Sequence, residues 1–101
     1  MWYYAFMSEQ LTAIKELSAP VLRAHNAVEA YVFGSTARGD NRSDSDIDIL
    51  ARFDRGGDLF EFVGVKLDLE DVLGKKVDLV EMGALRPEFR PYVDQDKVRI
   101  I

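Results

Sequence analysis

No cysteine occurs among the 101 residues, which removes disulfides, thiolate zinc sites and cysteine nucleophiles together. Histidine occurs once, as His25. At the end of a predicted helix, with no nucleophile nearby, it names no mechanism and reads as a structural or surface residue. Basic charge is short as well. Thirteen Lys and Arg face 18 Asp and Glu, a net charge of -5, so the field of the whole molecule repels polyanions and argues against direct nucleic-acid binding. The apolar start, residues 1–7 (MWYYAFM), has no basic flank and is far shorter than the ~20 residues of a membrane span. It reads as a small hydrophobic flap or an overextended start ahead of Met7, with no membrane role. Lacking a secretory signal, the chain is expected in the cytoplasm. No internal repeat, low-complexity tract or linker interrupts it.

What is present is the composition of a folded domain, 48% hydrophobic and 31% charged, at a length that serves a single core. One domain over residues 1–101 is expected. Leu11, Ile14, Leu17, Val21 and Leu22 recur at helical spacing between Ser8 and about Asn26, with Pro20 expected to kink this helix or to start a second one after Ser18. Val28 to Phe33 is a β-branched and aromatic run that stops at Gly34, as a buried strand entering a turn does. A brief helix capped by Ser35 and ending at Gly39 follows, then a polar loop from Asp40 to Ser45.

Ile47, Ile49 and Ala51 alternate with Asp46, Asp48 and Leu50, the period of a strand with one face inward. Asp58 with Glu61 resembles a capping box. It opens a second long helix, whose apolar face is read as Leu59, Phe60, Val63, Leu67 and Leu73 up to Gly74. Val77 to Val80 is a third strand broken by one charge, Asp78, and the tail beyond Leu85 offers a short helix and an edge strand. Strand, helix, strand, helix, strand implies an α/β or α+β fold, a small mixed sheet with helices packed on one face. The other face is left for chemistry.

That chemistry is concentrated between Gly34 and Leu50, GSTARGDNRSDSDIDIL. On a strand, Asp46 and Asp48 point the same way, about 7 Å apart along the backbone. If the Asp78 strand lies alongside, a third carboxylate joins them. At roughly 5 Å and an effective dielectric near 20, each like-charge pair costs about 3 kcal/mol, removable by protonation, by basic partners or by a cation. Magnesium suits an oxygen-only ligand set that leaves room for substrate phosphates, and two such ions can clamp the attacking and leaving oxygens of an in-line displacement. Gly34 lets the backbone approach a phosphate closely, Ser35 offers a hydroxyl, and Arg38 is near enough in sequence to add a charged donor.

Blander readings stand beside this one. Asp44, Asp46 and Asp48 alone describe a solvated acidic edge. Asp78 weighs against that, because an unpaired charge inside an apolar strand is costly. Arg42 and Asp44 flank the site, yet serve equally well as turn residues. Phe60, Phe62 and Tyr92 read as core rather than as base-stacking platforms. Residues 34–39 have neither the glycine spacing of a dinucleotide fingerprint nor the Gly-Lys-Ser/Thr ending of a P-loop, and no glutamate completes a calcium-binding loop.

Gly34-Ser35, Asp46-Ile47-Asp48 and Asp78 together resemble the DNA polymerase β-like nucleotidyltransferase superfamily. The extended motif is similar to its minimal nucleotidyltransferase branch, the MntA-like antitoxins, over about residues 8–101. The resemblance implies the polymerase β-like nucleotidyltransferase fold and a minimal catalytic domain. It also implies a HEPN-domain toxin as partner, in a hetero-oligomer, neutralised by transfer of AMP from ATP to a toxin tyrosine. Asp46 and Asp48 match the family's metal-binding pair, Asp78 its third carboxylate, which helps bind metal and activate the hydroxyl, and Gly34 and Ser35 its phosphate-holding pair. Arg38 matches the arginine of the GSxARG form. Two rival functions stay open: an antitoxin that acts by binding alone, and a nucleotidyltransferase of small molecules such as antibiotics. The second needs a substrate surface that this chain makes only by dimerising.

Overall fold

The computed structural model describes residues 9–39, 46–54 and 57–101. The expected flap at 1–7 and the loop at 40–45, with Arg42 and Asp44 in it, lie outside the described residues. The elements follow in the order α1 (Glu9–Ala24), β1 (Ala27–Phe33), α2 (Gly34–Arg38), β2 (Ile47–Phe53), α3 (Leu59–Leu73), β3 (Val77–Glu81), two short 3-10 turns, α4 (Arg90–Asp96) and β4 (Val98–Arg99).

The strands form one sheet in the order β3-β2-β1-β4. β1 runs antiparallel to both β2 and β4, whereas β2 and β3 are parallel, so the sheet is mixed as expected. The parallel pair needs a crossover connection, and α3 supplies it. Period-two patterning then sorts the faces. Ile47, Ile49, Val77 and Leu79 are buried in a core shared with Leu11, Ile14 and Leu22 of α1 and Val65 and Leu69 of α3. The alternate residues Asp48 and Asp78 therefore emerge on the face away from these two helices.

Two helix readings need correction. Pro20 neither kinks α1 into two helices nor starts a new one, because α1 runs unbroken through it. The amide missing at Pro20 removes one main-chain bond in the last turns, and burial of Leu11, Ile14, Ala19 and Leu22 against the sheet and α3 outweighs that loss. In α3 the buried stripe is Val65 and Leu69, with Phe62 and Leu73 partly buried beside them. Leu59, Phe60, Val63 and Leu67 face outward, at 72%, 86%, 40% and 55% exposure. Both stripes have helical spacing, so periodicity alone does not say which one meets the sheet. Phe60 is therefore not core, and neither is Tyr92, which is 70% exposed.

The ends of α3 behave as their residues dictate. Asp58 accepts a hydrogen bond from the Glu61 amide at 2.9 Å, and Gly74 closes the helix at φ 69. Beyond it, Glu70 accepts from Lys66 Nζ at 2.8 Å and from the Val77 amide at 2.9 Å, which ties the start of β3 to the helix. His25 has the structural role expected of it, its Nε2 lying 2.8 Å from Asp68 Oδ2 and joining the end of α1 to α3.

The reassigned helix face gives a direct test. Leu69→Ala is expected to cost about 3 kcal/mol in urea unfolding, the usual scale for a cavity at a fully buried leucine. Leu67→Ala, two residues earlier, is expected to change stability by less than about 0.5 kcal/mol.

Candidate active site

The predicted site residues converge at one end of the sheet. Asp48 lies near the start of β2, directly beside Asp78 of β3 in the parallel register, with Phe33 of β1 opposite on its other side. Adjacent strands are about 4.8 Å apart, so the two carboxylates share one patch. Asp46 stands exposed immediately before β2. Asp48 is half-buried and Asp78 exposed.

Burial, and then the negative charges of Asp78 and Asp46, push the Asp48 carboxyl from its ordinary 3.8 up to about 6, against a smaller opposing pull from Arg38. Negative charge at this point thus exceeds the positive charge facing it. Among the described residues no three His, Cys, Asp or Glu side chains form a ready metal cage. The donors are oxygens on an open face, a set that fits a hard cation whose shell is finished by water or phosphate.

Gly34 explains how Asp48 is seated. It follows β1 directly, has φ +71, and a Cβ built on it would come within 2.5 Å of Asp48 Oδ2. Any other residue would be strained in that conformation and would push the carboxylate aside. Ser35 is the second residue of α2 and not its cap. The cap position is Phe33, which offers no side-chain bond, and Gly39 closes the helix at φ 79. Ser35 is therefore carried on the same turn that touches Asp48.

Arg38 is half exposed, and its Nη1 donates to Asp96 Oδ2 at 2.8 Å. Its charge still acts on Asp48, so the guanidinium is positioned between the site and α4. Asp96 is the residue that sequence reasoning missed. It lies 58 positions from Arg38, beyond any local motif, and only the packing of α2 against α4 brings the two together.

Two outcomes follow from this geometry. A carboxyl whose pKa is raised by folding makes the folded state bind more protons than the unfolded one between the two values. In metal-free protein the stabilising contribution of Asp48 is then fully present below about pH 4 and is lost as pH rises through about 6, the window set by its shift. In Asp48→Asn this loss is expected to shrink, read as melting temperature across that window by calorimetry. Gly34→Ala is expected to cost about 2 kcal/mol through backbone strain, read by urea unfolding, in addition to displacing Asp48.

Residues 8–101 match the model of the nucleotidyltransferase domain. A protein of Methanocaldococcus jannaschii with the provisional name protein adenylyltransferase is 35% identical over 90% of this chain and 98% of its own length. The protein adenylyltransferase MntA of Thermococcus cleftensis is 38% identical over 77% of this chain and 80% of its own. A solved structure provisionally described as a minimal nucleotidyltransferase superposes with a TM-score of 0.78 at 40% identity, covering 89% of this chain and 92% of that one. The fold recurs, at 20% identity and a TM-score of 0.71, in a complex of tri-AMPylated Shewanella oneidensis HEPN toxin with MNT antitoxin, over 89% of this chain and 71% of that one. With the sheet order, the seated carboxylate and these likenesses agreeing, the chain belongs to the nucleotidyltransferase domain family.

Proposed function

We propose that this chain is a metal-dependent protein adenylyltransferase, the antitoxin of a toxin–antitoxin pair, which transfers AMP from ATP to a tyrosine of a HEPN-domain toxin. The observation that carries the reading is the unbalanced carboxylate pair Asp48 and Asp78 on adjacent strands, with the turn at Gly34 and Ser35 against it. Relatives named protein adenylyltransferases support a protein acceptor. The HEPN toxin in complex with an MNT antitoxin of the same fold supports the kind of partner.

In this reading Asp46, Asp48 and Asp78 would hold Mg2+, two ions in all, which when bound would neutralise the triphosphate and lower the barrier to displacement at phosphorus. Gly34, whose missing side chain makes room for the Asp48 carboxylate, brings the backbone of the turn beside the site for a phosphate, and the Ser35 hydroxyl donates to that phosphate. Arg38, held by Asp96, supplies positive charge at the edge of the same pocket. The acceptor hydroxyl attacks the α-phosphorus in line, the bond to the β-phosphate breaks and pyrophosphate leaves. Asp78, the exposed member of the pair, takes the hydroxyl proton. In this reading residues 1–101 make one catalytic domain, with 1–7 an extension or flap. Consumption of ATP supports a cytoplasmic location, and the net charge of -5 weighs against direct nucleic-acid binding.

Purified protein with ATP, Mg2+ and the HEPN-domain protein encoded beside it is expected to add whole adenylyl groups to that partner, located on tyrosine by mass spectrometry. Asp46→Asn with Asp48→Asn is expected to slow the transfer roughly 10³-fold or more. A partner mass that stays constant with every nucleotide sinks the enzyme reading. Full protection of cells by the double variant would instead make neutralisation a matter of binding.

A further inference from the structure

Asp96 stands where its own helix gives it no reason to be. It is the last residue of α4, and the dipole of a helix disfavours a carboxylate at that end. The cations of its own segment are engaged elsewhere, Lys97 Nζ lying 2.9 Å and Arg90 Nε 3.9 Å from Asp94. Asp96 accepts instead from Arg38 of α2 at 2.8 Å, and its side chain, 24% exposed, is the more enclosed half of that pair.

Other contacts fasten α4. Val93 is buried, and β4, one residue beyond the helix, pairs with β1. Ile100, buried in the core, donates its amide to the Ala30 carbonyl at 2.9 Å. A partly exposed ion pair adds little to such an anchorage. Its effect falls on Arg38 rather than on the fold.

Arg38 is the last residue of a five-residue helix closed by Gly39, and its long side chain has many rotamers to choose from. Asp46, Asp48 and Asp78 stand close by with more negative charge than is balanced. Those acids attract the guanidinium, and a guanidinium bonded among them takes the ground a metal ion needs. The structure has the other arrangement. Arg38 donates to Asp96 and acts on Asp48 through space, as charge. Because a guanidinium carries its donors in one rigid fork, a bond along one edge fixes where the other edges point.

We propose that Asp96 is the positioning residue of the nucleotide site: it keeps the Arg38 guanidinium out of the metal position and sets it at the rim of the carboxylate patch, facing the phosphates of the bound triphosphate. This rests on the adenylyltransferase reading and extends its phosphate-holding set, Gly34, Ser35 and Arg38, to a residue that touches no substrate. Loss of Asp96 then has two effects with one origin. The phosphates lose an oriented donor, and the carboxylates admit Mg2+ less readily.

The test is a cycle of wild type, Asp96→Asn, Arg38→Ala and the double variant, with Asp96→Glu as the conservative control. Binding of ATP with a methylene bridge between its α- and β-phosphates is measured by calorimetry across a series of Mg2+ concentrations. AMP transfer to the neighbouring HEPN-domain protein is read by intact mass, and stability by thermal melting. Asp96→Asn is expected to melt with wild type, to bind the analogue roughly tenfold more weakly, as the loss of one charge-assisted bond implies, and to need more Mg2+. KM for the acceptor should not move. Removing a negative charge by itself favours an anionic ligand, so weaker binding marks lost orientation. In the Arg38→Ala background the same substitution is expected to change nothing, because a positioning residue has no effect without the group it positions. Asp96→Glu should recover most of the binding.

Unchanged or tighter binding in Asp96→Asn overturns the assignment. So does an equal loss in the Arg38→Ala background, which makes Asp96 act by another route. Weak binding that follows a lowered melting temperature, with Asp96→Glu no better, makes the pair structural and overturns it too. A wild-type chain that binds the analogue and leaves the HEPN protein unmodified sinks the adenylyltransferase reading, and the binding cycle still decides for or against Asp96. A wild-type chain that binds no nucleotide overturns both.

Discussion

The structure depends on setting two like charges side by side. Asp48 and Asp78 are register partners on parallel strands, and Asp46 adds a third negative charge to the same end. A fold selected for stability alone would place a lysine or an apolar residue at one of these positions. Keeping the carboxylates together requires the remainder of the sheet to hold them, and the means are visible. Ile47, Ile49, Val77 and Leu79 alternate with the acids and are buried beneath α1 and α3. A one-residue slip in either strand would exchange acid for core, so the apolar residues fix the register that the acids by themselves oppose.

The same constraint accounts for the path of the chain. Parallel pairing of β2 with β3 demands a crossover, and α3 must lie on the face that the acids leave. The acidic face is then free of both long helices and can receive a ligand. On its other flank the chain leaves β1 through Gly34, whose missing side chain is the volume into which Asp48 fits. Thus β1, the turn and β2 act together on one oxygen atom. The cost of the unbalanced charge is met by any cation or donor that enters, so ligand binding and folding stability are coupled through Asp48.

The parts legible in the sequence were those in which one residue settles the matter. An aspartate within an apolar strand declares which face is wet, and the pairs at 34–35 and 46–48 stand out because glycine and acids are uncommon within strand patterns. The face of α3 was not legible, because Leu59, Phe60, Phe62, Val63, Val65, Leu67 and Leu69 give the helix two apolar stripes and periodicity is satisfied by either. Pro20 misled for a related reason, since local propensity favours a break while tertiary burial keeps the helix intact. The bond between Arg38 and Asp96 had no local signal at all, being made by two short helices that meet only in the folded chain.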